Sequence, residues 1–159
     1  MIEFKMEGNW SVPGDALRNL PKTLKSAGRE AQKKTAEKIV KIAKRHIDKQ
    51  DLGWKPRSER TNSADSRVLV DTEAYYRSIK AWKQGDSYLA GVPLGATNSK
   101  GVPIIIYALA HEYGYKVPRR PLWGPTYKEI GGRKGVKDII KLAVAKKLLS
   151  LKRKGFKIT

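Results

Sequence analysis

The sequence predicts an α+β fold, a small antiparallel sheet packed against a long N-terminal helix and a basic C-terminal helix. Three observations carry this. Apolar residues return at steps of three and four over residues 22–48 and again over 135–151, the period of helices with one buried face. Between these segments two short strand-like stretches meet at Gln84-Gly85-Asp86, a hairpin-type turn. The 159 residues, 40% of them apolar, suit a single domain spanning 1–159 with one core of modest size.

At the N-terminus Ile2, Phe4 and Met6 alternate with Glu3, Lys5 and Glu7, the two-residue period of a half-buried strand. Gly8 to Gly14 reads as a turn, with Trp10 as an anchor. Asp15 can cap a short helix over 16–20. Pro21 has no N–H to donate and crowds the preceding turn, so a break or kink is expected there. The long helix then runs from Lys22 to about Asp48. Leu24, Ala27, Ala31, Thr35, Ile39, Ile42, Ala43, His46 and Ile47 form its stripe. The alanine-rich first half lets another backbone come close, from the same chain or from a neighbouring subunit.

Residues 51–67 carry no period and form a mobile polar arm. A loop of this length inside a compact domain is usually functional or disordered. Trp54 is its exception, either folded back on the core or an anchor for a partner. After Val68-Leu69-Val70, Asp71 is placed to cap a short helix holding Ala74 and Tyr75. Ile79 and Trp82 lead into a strand, residues 87–92 return, and Pro93 stops them. Leu94 to Gly101 is a Gly/Asn/Ser loop. Ile104 to Tyr113 is a short buried helix or a strand running into one, with Gly114 as its C-terminal cap. Trp123 to Ile130 adds a turn, broken by Gly131-Gly132. Gly135 to Leu151 is the last amphipathic helix, with Val136, Ile139, Ile140, Ala143, Val144, Leu148 and Leu151 on one face, and a basic tail follows at 152–159.

Charge says more about partners than about fold. Lys and Arg number 34 against 15 Asp and Glu, a net charge of +19. Such an excess draws a protein towards phosphate or acidic protein surfaces. Most of it lies in residues 16–50 and 133–157. If those helices lie side by side, Lys33, Lys34, Lys41, Lys44, Arg45, Lys146, Lys147, Lys152, Arg153 and Lys154 become candidate contacts for phosphate or an acidic surface. The plain alternative is a solvated lysine-rich surface. Binding of this kind reads no sequence and weakens with salt. No helix carries Asn, Gln or Arg placed for base edges, and no zinc finger or aromatic RNA motif is present, so sequence-specific recognition is not expected.

Catalytic patterns fail on spacing. The chain has no cysteine, which excludes disulfides, thiol catalysis and thiolate zinc sites. His111-Glu112 invites a helical zinc motif, but the position four residues after His111 is Tyr115, and His46 is the only other histidine. His111 is therefore read as a hydrogen-bonded residue at a helix end, and Glu112 as the partner of a nearby Arg or Lys. Residues 91–101 lack the glycine spacing of a phosphate loop. No cofactor and no metal are expected. The N-terminal residues have no apolar signal-like core, and the run from Val102 to Ala110 is far short of a membrane span, so a soluble product made in the cytoplasm is expected, with no membrane partner.

The most distinctive stretch is Tyr107-Ala108 with His111-Glu112-Tyr113-Gly114, followed by Pro118-Arg119-Arg120-Pro121-Leu122-Trp123. Together with the Ala/Lys helix at 22–48, the arm with Trp54, and Leu69-Val70-Asp71-Thr72-Glu73-Ala74-Tyr75-Tyr76-Arg77-Ser78-Ile79, it resembles the tail-completion, neck and minor tail proteins of tailed bacteriophages. That group includes the virion-morphogenesis proteins of Mu-like phages and the minor tail protein Z of lambda-like phages. The likeness covers roughly residues 22–130. Glu73 stands where that family commonly has glycine, so a helical turn is expected before Ala74. Trp123-Gly124 and the long basic C-terminal helix also depart from the pattern. The resemblance implies a non-catalytic virion protein at the neck or upper tail, made in the host cytoplasm. It implies several copies in a ring beside a connector, tail terminator or tail tube, with contact to packaged DNA left open. Tyr107, His111, Glu112, Gly114, Pro118 and Pro121 form the structural signature. Trp54, Arg119, Arg120, Leu122 and Trp123 are the candidate docking residues, because Trp and Arg dominate interfaces and a turn held by two prolines loses little entropy on docking.

Overall fold

The computed structural model describes residues 13–56, 67–70 and 73–152. The expected N-terminal strand at 2–7, Trp10, Asp71, residues 57–66 of the arm, and Arg153 and Lys154 of the tail lie outside them. The described elements are α1 (Pro13–Lys49), α2 (Ala74–Ser78), β1 (Lys80–Gln84), β2 (Ser87–Gly91), α3 (Ile104–Tyr113), α4 (Trp123–Glu129) and α5 (Gly132–Lys152). The fold is α+β: α1 packs on one side against the β1–β2 hairpin and along its flank against α5.

Helix α1 is longer than the sequence suggests. It runs through Pro21 as one helix instead of breaking into two. Proline removes one backbone hydrogen bond, whereas each further residue of an established helix adds one, so a single loss need not end the helix. The expected stripe is the packed one. Ala27, Ala31, Thr35, Ile42, Ala43, His46 and Ile47 are buried, and Leu24 and Ile39 half-buried. The small residues receive a neighbour from the same chain: Ala27 and Ala31 face Ala143 and Lys147 of α5 across a shallow groove.

The hairpin is antiparallel, with Trp82 opposite Leu89 and Gln84 opposite Ser87. Its turn is the Gly85-Asp86 pair, where Gly85 takes a left-handed φ of 58°. Asp86 ties that turn back to α1 through Arg29 and, at 3.5 Å, Lys25. The core is assembled from the C-terminal half of α1 (Ala43, Ile47), the segment Val68-Leu69-Val70, and Tyr75, Ile79, Ile104, Ala108 and Leu122. Gln50 fixes the return of the arm. Its side-chain amide oxygen accepts the Val68 N–H at 2.9 Å, and its NH2 donates to the Val68 carbonyl at 3.2 Å.

Three local expectations need correction. Glu73 does not begin a helical turn. It takes a left-handed φ of 54°, the conformation glycine adopts most easily, before α2 starts. Helix α5 begins at Gly132 and not at Gly135, because Gly131 and Gly132, with φ of 86° and 59°, turn the chain directly from α4 into α5. Helix α3 is a helix throughout, but it is not buried all round: Ile104, Ala108 and His111 face the core, while Ile106, Leu109 and Tyr113 face solvent.

Candidate functional site

The segment 107–124 folds into one stitched unit. Helix α3 ends at Gly114, whose φ of 84° reverses the chain and whose N–H bonds the Ala110 carbonyl at 2.8 Å. A Cβ at Gly114 would come within 3.0 Å of the Arg119 Cβ, so the returning strand of chain packs directly on the cap. The Arg120 N–H then bonds the His111 carbonyl at 2.7 Å. Pro118 and Pro121 bracket this return.

Glu112 closes the unit, and not by pairing with a cation as expected. Its carboxylate accepts the N–H groups of Leu122 (2.8 Å), Trp123 (3.1 Å) and Gly124 (3.2 Å). These are the unpartnered donors at the start of α4, where a negative charge is favoured. One side chain therefore locks the end of α3 to the beginning of α4. Sequence reading missed this because it depends on a chain reversal ten residues long.

His111 is buried on the inner face of α3. Its ring meets that of Tyr107 edge-on at 4.4 Å between centroids, and Tyr107 in turn meets Tyr75 at 5.5 Å. Burial and the nearby Arg120 guanidinium hold the imidazole pKa below its ordinary 6.5, opposed by a hydrogen bond with the Pro118 carbonyl. Its Nδ1 has no hydrogen-bond partner among the described residues. Burial also pushes the Tyr75 phenol well above its usual range.

The candidate docking residues divide. Leu122 is 1% exposed and belongs to the core. Arg120 is buried, its guanidinium donating to the carbonyls of Lys55 (3.2 Å) and Pro56 (3.3 Å). Trp54 folds back, its indole N–H donating to the Pro121 carbonyl at 3.1 Å, and Trp123 packs on the core. Arg119 alone of the five is exposed, with its Nε on the Glu112 carbonyl at 3.2 Å. What this turn can offer a partner is thus Arg119. Arg120 and Trp54 hold the near foot of the arm in place, while Leu122 and Trp123 pack on the core.

The basic residues also divide. Lys34, Lys146 and Lys147 line one groove between α1 and α5, and Lys22 faces Lys147 across a second, neighbouring groove. Lys34 is partly engaged by Glu30 at 2.6 Å, which lowers the carboxyl pKa and raises that of the lysine. Lys33 lies 3.9 Å from Glu37, and Lys41 is exposed on α1. Lys44 sits over the Tyr76 ring at 4.8 Å, and Arg45 pairs with Glu129, so these two engage the fold at the C-terminal end of α1 and not the α1–α5 groove. The Lys152 side chain lies outside the described part of the chain.

A third cluster joins α1 to α4. His46 Nδ1 lies 2.6 Å from Asp51 Oδ1, and Nε2 lies 3.1 Å from Glu129 Oε2, within ion-pair reach but off hydrogen-bond geometry. The two carboxylates approach different ring nitrogens, so one cation cannot take all three groups. Among the described residues no cluster of His, Asp and Glu fits a metal ion, and no helix is long and apolar enough to cross a membrane. Compared with protein-family models, with curated proteins and with solved structures, the chain matches none.

Proposed function

We propose that this protein is a structural, non-catalytic part of a tailed-bacteriophage virion. It acts at the head–tail junction or the upper end of the tail, and completes or joins the tail as a multi-copy, ring-like assembly. Its neighbours in this reading are other copies and the connector, tail terminator or tail tube. The sequence resemblance supports the choice of particle. The observation that carries the structural role is the use made of His111 and Glu112. The imidazole packs on Tyr107 and is hydrogen-bonded to the Pro118 carbonyl, and the carboxylate sits on the backbone N–H groups of Leu122, Trp123 and Gly124. The two groups that most suggested chemistry serve to make a rigid corner. Electron microscopy of particles assembled without this gene product tests the reading. Filled heads beside separate tails are expected; complete, infectious particles would sink it.

A second reading, non-specific DNA binding through the basic helical segments 16–50 and 133–157, is favoured by one feature. Lys22, Lys34, Lys146 and Lys147 converge on the α1–α5 grooves. Such binding must fall steeply with salt and be indifferent to sequence. It is separable from the first reading, because it needs only the isolated protein and duplex DNA.

A further inference from the structure

Helix α3 has one face in the core and one in water. Ile106, Leu109 and Tyr113 follow one another at steps of three and four, so they share a face, and they are 60%, 49% and 73% exposed. From Ile106 to Tyr113 the strip is roughly 10 Å long at ~1.5 Å per residue. Exposed Tyr115 lies just beyond it. In a chain with 34 basic residues, α3 is the only described helix with neither Lys nor Arg.

The charges that follow the strip are of one sign. Just past its C-terminal end Lys116 Nζ lies 5.4 Å from the Tyr115 ring centroid, and Arg119 is held on the Glu112 carbonyl. Both cations are exposed. The carboxylate nearest in sequence, Glu112, is turned inward onto α4. Glu73 is engaged by Arg77.

We propose that this strip docks a different protein, whose contacting surface is apolar and rimmed by carboxylates. The choice of partner follows from charge complementarity. A second copy carries the same net charge of +19 and the same two cations, and like charges across an interface oppose association. A partner with Asp or Glu around an apolar groove meets Lys116 and Arg119 with opposite charge and covers Ile106 and Leu109. Tyrosine is a residue type that anchors such contacts, and Tyr113 and Tyr115 stand at one end. An anionic membrane would also attract the cations, but two aliphatic side chains, Ile106 and Leu109, with two tyrosines offer little to insert, since stable membrane attachment needs a larger apolar face. This inference deepens the virion reading by giving the chemistry of the neighbouring protein. Its test uses the isolated chain, so either can fail alone.

The probe is a synthetic amphipathic helical peptide of about 20 residues, with leucines at steps of three and four and glutamates elsewhere. The control is a scrambled peptide of the same composition, which keeps the charge and loses the apolar face. Binding is measured by calorimetry with the full-length protein, the Ile106→Ser/Leu109→Ser variant, and the Lys116→Gln/Arg119→Gln variant. At least a tenfold preference for the amphipathic peptide is expected in the native protein. The serine variant should lose that preference, and the glutamine variant should bind more weakly with a flatter salt dependence. Should the serine variant fail to melt cooperatively, Tyr113→Ala is read in its place. Equal affinity for both peptides overturns the proposal, as does a preference that survives loss of the strip. Self-association in sedimentation that disappears with Ile106→Ser would assign the strip to a second copy instead. Binding to phosphatidylserine vesicles that requires Ile106 and Leu109, with no peptide preference, would assign it to lipid.

Discussion

Glu112 decides how the corner between α3 and α4 is held. Its carboxylate satisfies the N–H groups of Leu122, Trp123 and Gly124, and no other described side chain reaches them. Glu112→Ala leaves these donors to water or unmet, and a loss of about 2–3 kcal/mol of unfolding free energy is expected in urea titration. Glu112→Gln keeps one acceptor oxygen and should lose roughly half as much. His111, one residue earlier, makes stability depend on pH in a defined direction. Its folded pKa lies below the ordinary 6.5 because burial and Arg120 disfavour the imidazolium. Below about pH 6.5 the unfolded chain therefore binds a proton that the folded chain refuses. The stabilising effect of the neutral ring is complete above that pH and is lost as pH falls towards the depressed folded value. His111→Phe keeps an aromatic ring against Tyr107 and removes the titration. The stability difference between variant and native protein should shift in favour of the variant on acidification, by at most about 1.4 kcal/mol per pH unit. A difference independent of pH between 7 and 5 would show that His111 does not remain neutral in the fold.

Two glycines in helices have opposite expected effects, and the contrast tests the element packing. Gly28 lies inside α1 with open space where a Cβ would stand, so Gly28→Ala should stabilise by about 0.5–1 kcal/mol through the unfolded chain and helix propensity. Gly135 lies inside α5, and a Cβ there would fall 1.9 Å from the Ile130 carbonyl oxygen, a backbone atom that cannot swing aside. Gly135→Ala should cost at least about 2 kcal/mol by prising α5 from the end of α4, and thermal melts of the two variants should move in opposite directions. Much at this scale was legible in the sequence. The periods of α1 and α5, the Gly85-Asp86 turn and the Gly114 cap are written in residues close along the chain. Pro21 misled because a local rule about one missing hydrogen bond was set against a helix that continues on both sides of it. The outward face of α3 was hidden for another reason. Ile104, Ile105 and Ile106 are apolar in every direction, and only the packing of Ile104 and Ala108 on distant residues decides which side remains in water. Glu112 was unreadable in the same way, since its partners arrive through the reversal at Gly114.

At the scale of the whole molecule, the net charge of +19 becomes a testable property of one surface. The sequence indicated two basic helices but not that Lys22, Lys34, Lys146 and Lys147 would converge while Lys44 and Arg45 turned to Tyr76 and Glu129. Crowding like charges along α1 and α5 destabilises the compact state, and salt relieves it. Salt also weakens the surface ion pairs, such as Lys34 with Glu30, but exposed pairs contribute little, so the repulsion should dominate. The melting temperature of the native protein should therefore rise as salt increases from about 50 to about 500 mM, a range over which the screening length falls from about 14 to about 4 Å. The Lys22→Gln/Lys34→Gln/Lys146→Gln/Lys147→Gln variant should melt above the native protein at low salt and converge with it at high salt. A melting temperature that falls with salt would mean the ion pairs outweigh the repulsion. The same variant separates a solvated basic face from one that touches DNA. Each phosphate contact contributes about 0.9 to the slope of log affinity against log salt, so losing contacts at these lysines should flatten the slope by up to about 3.6. An unchanged slope would place any DNA contact elsewhere on the chain and leave the grooves between α1 and α5 as solvated surface.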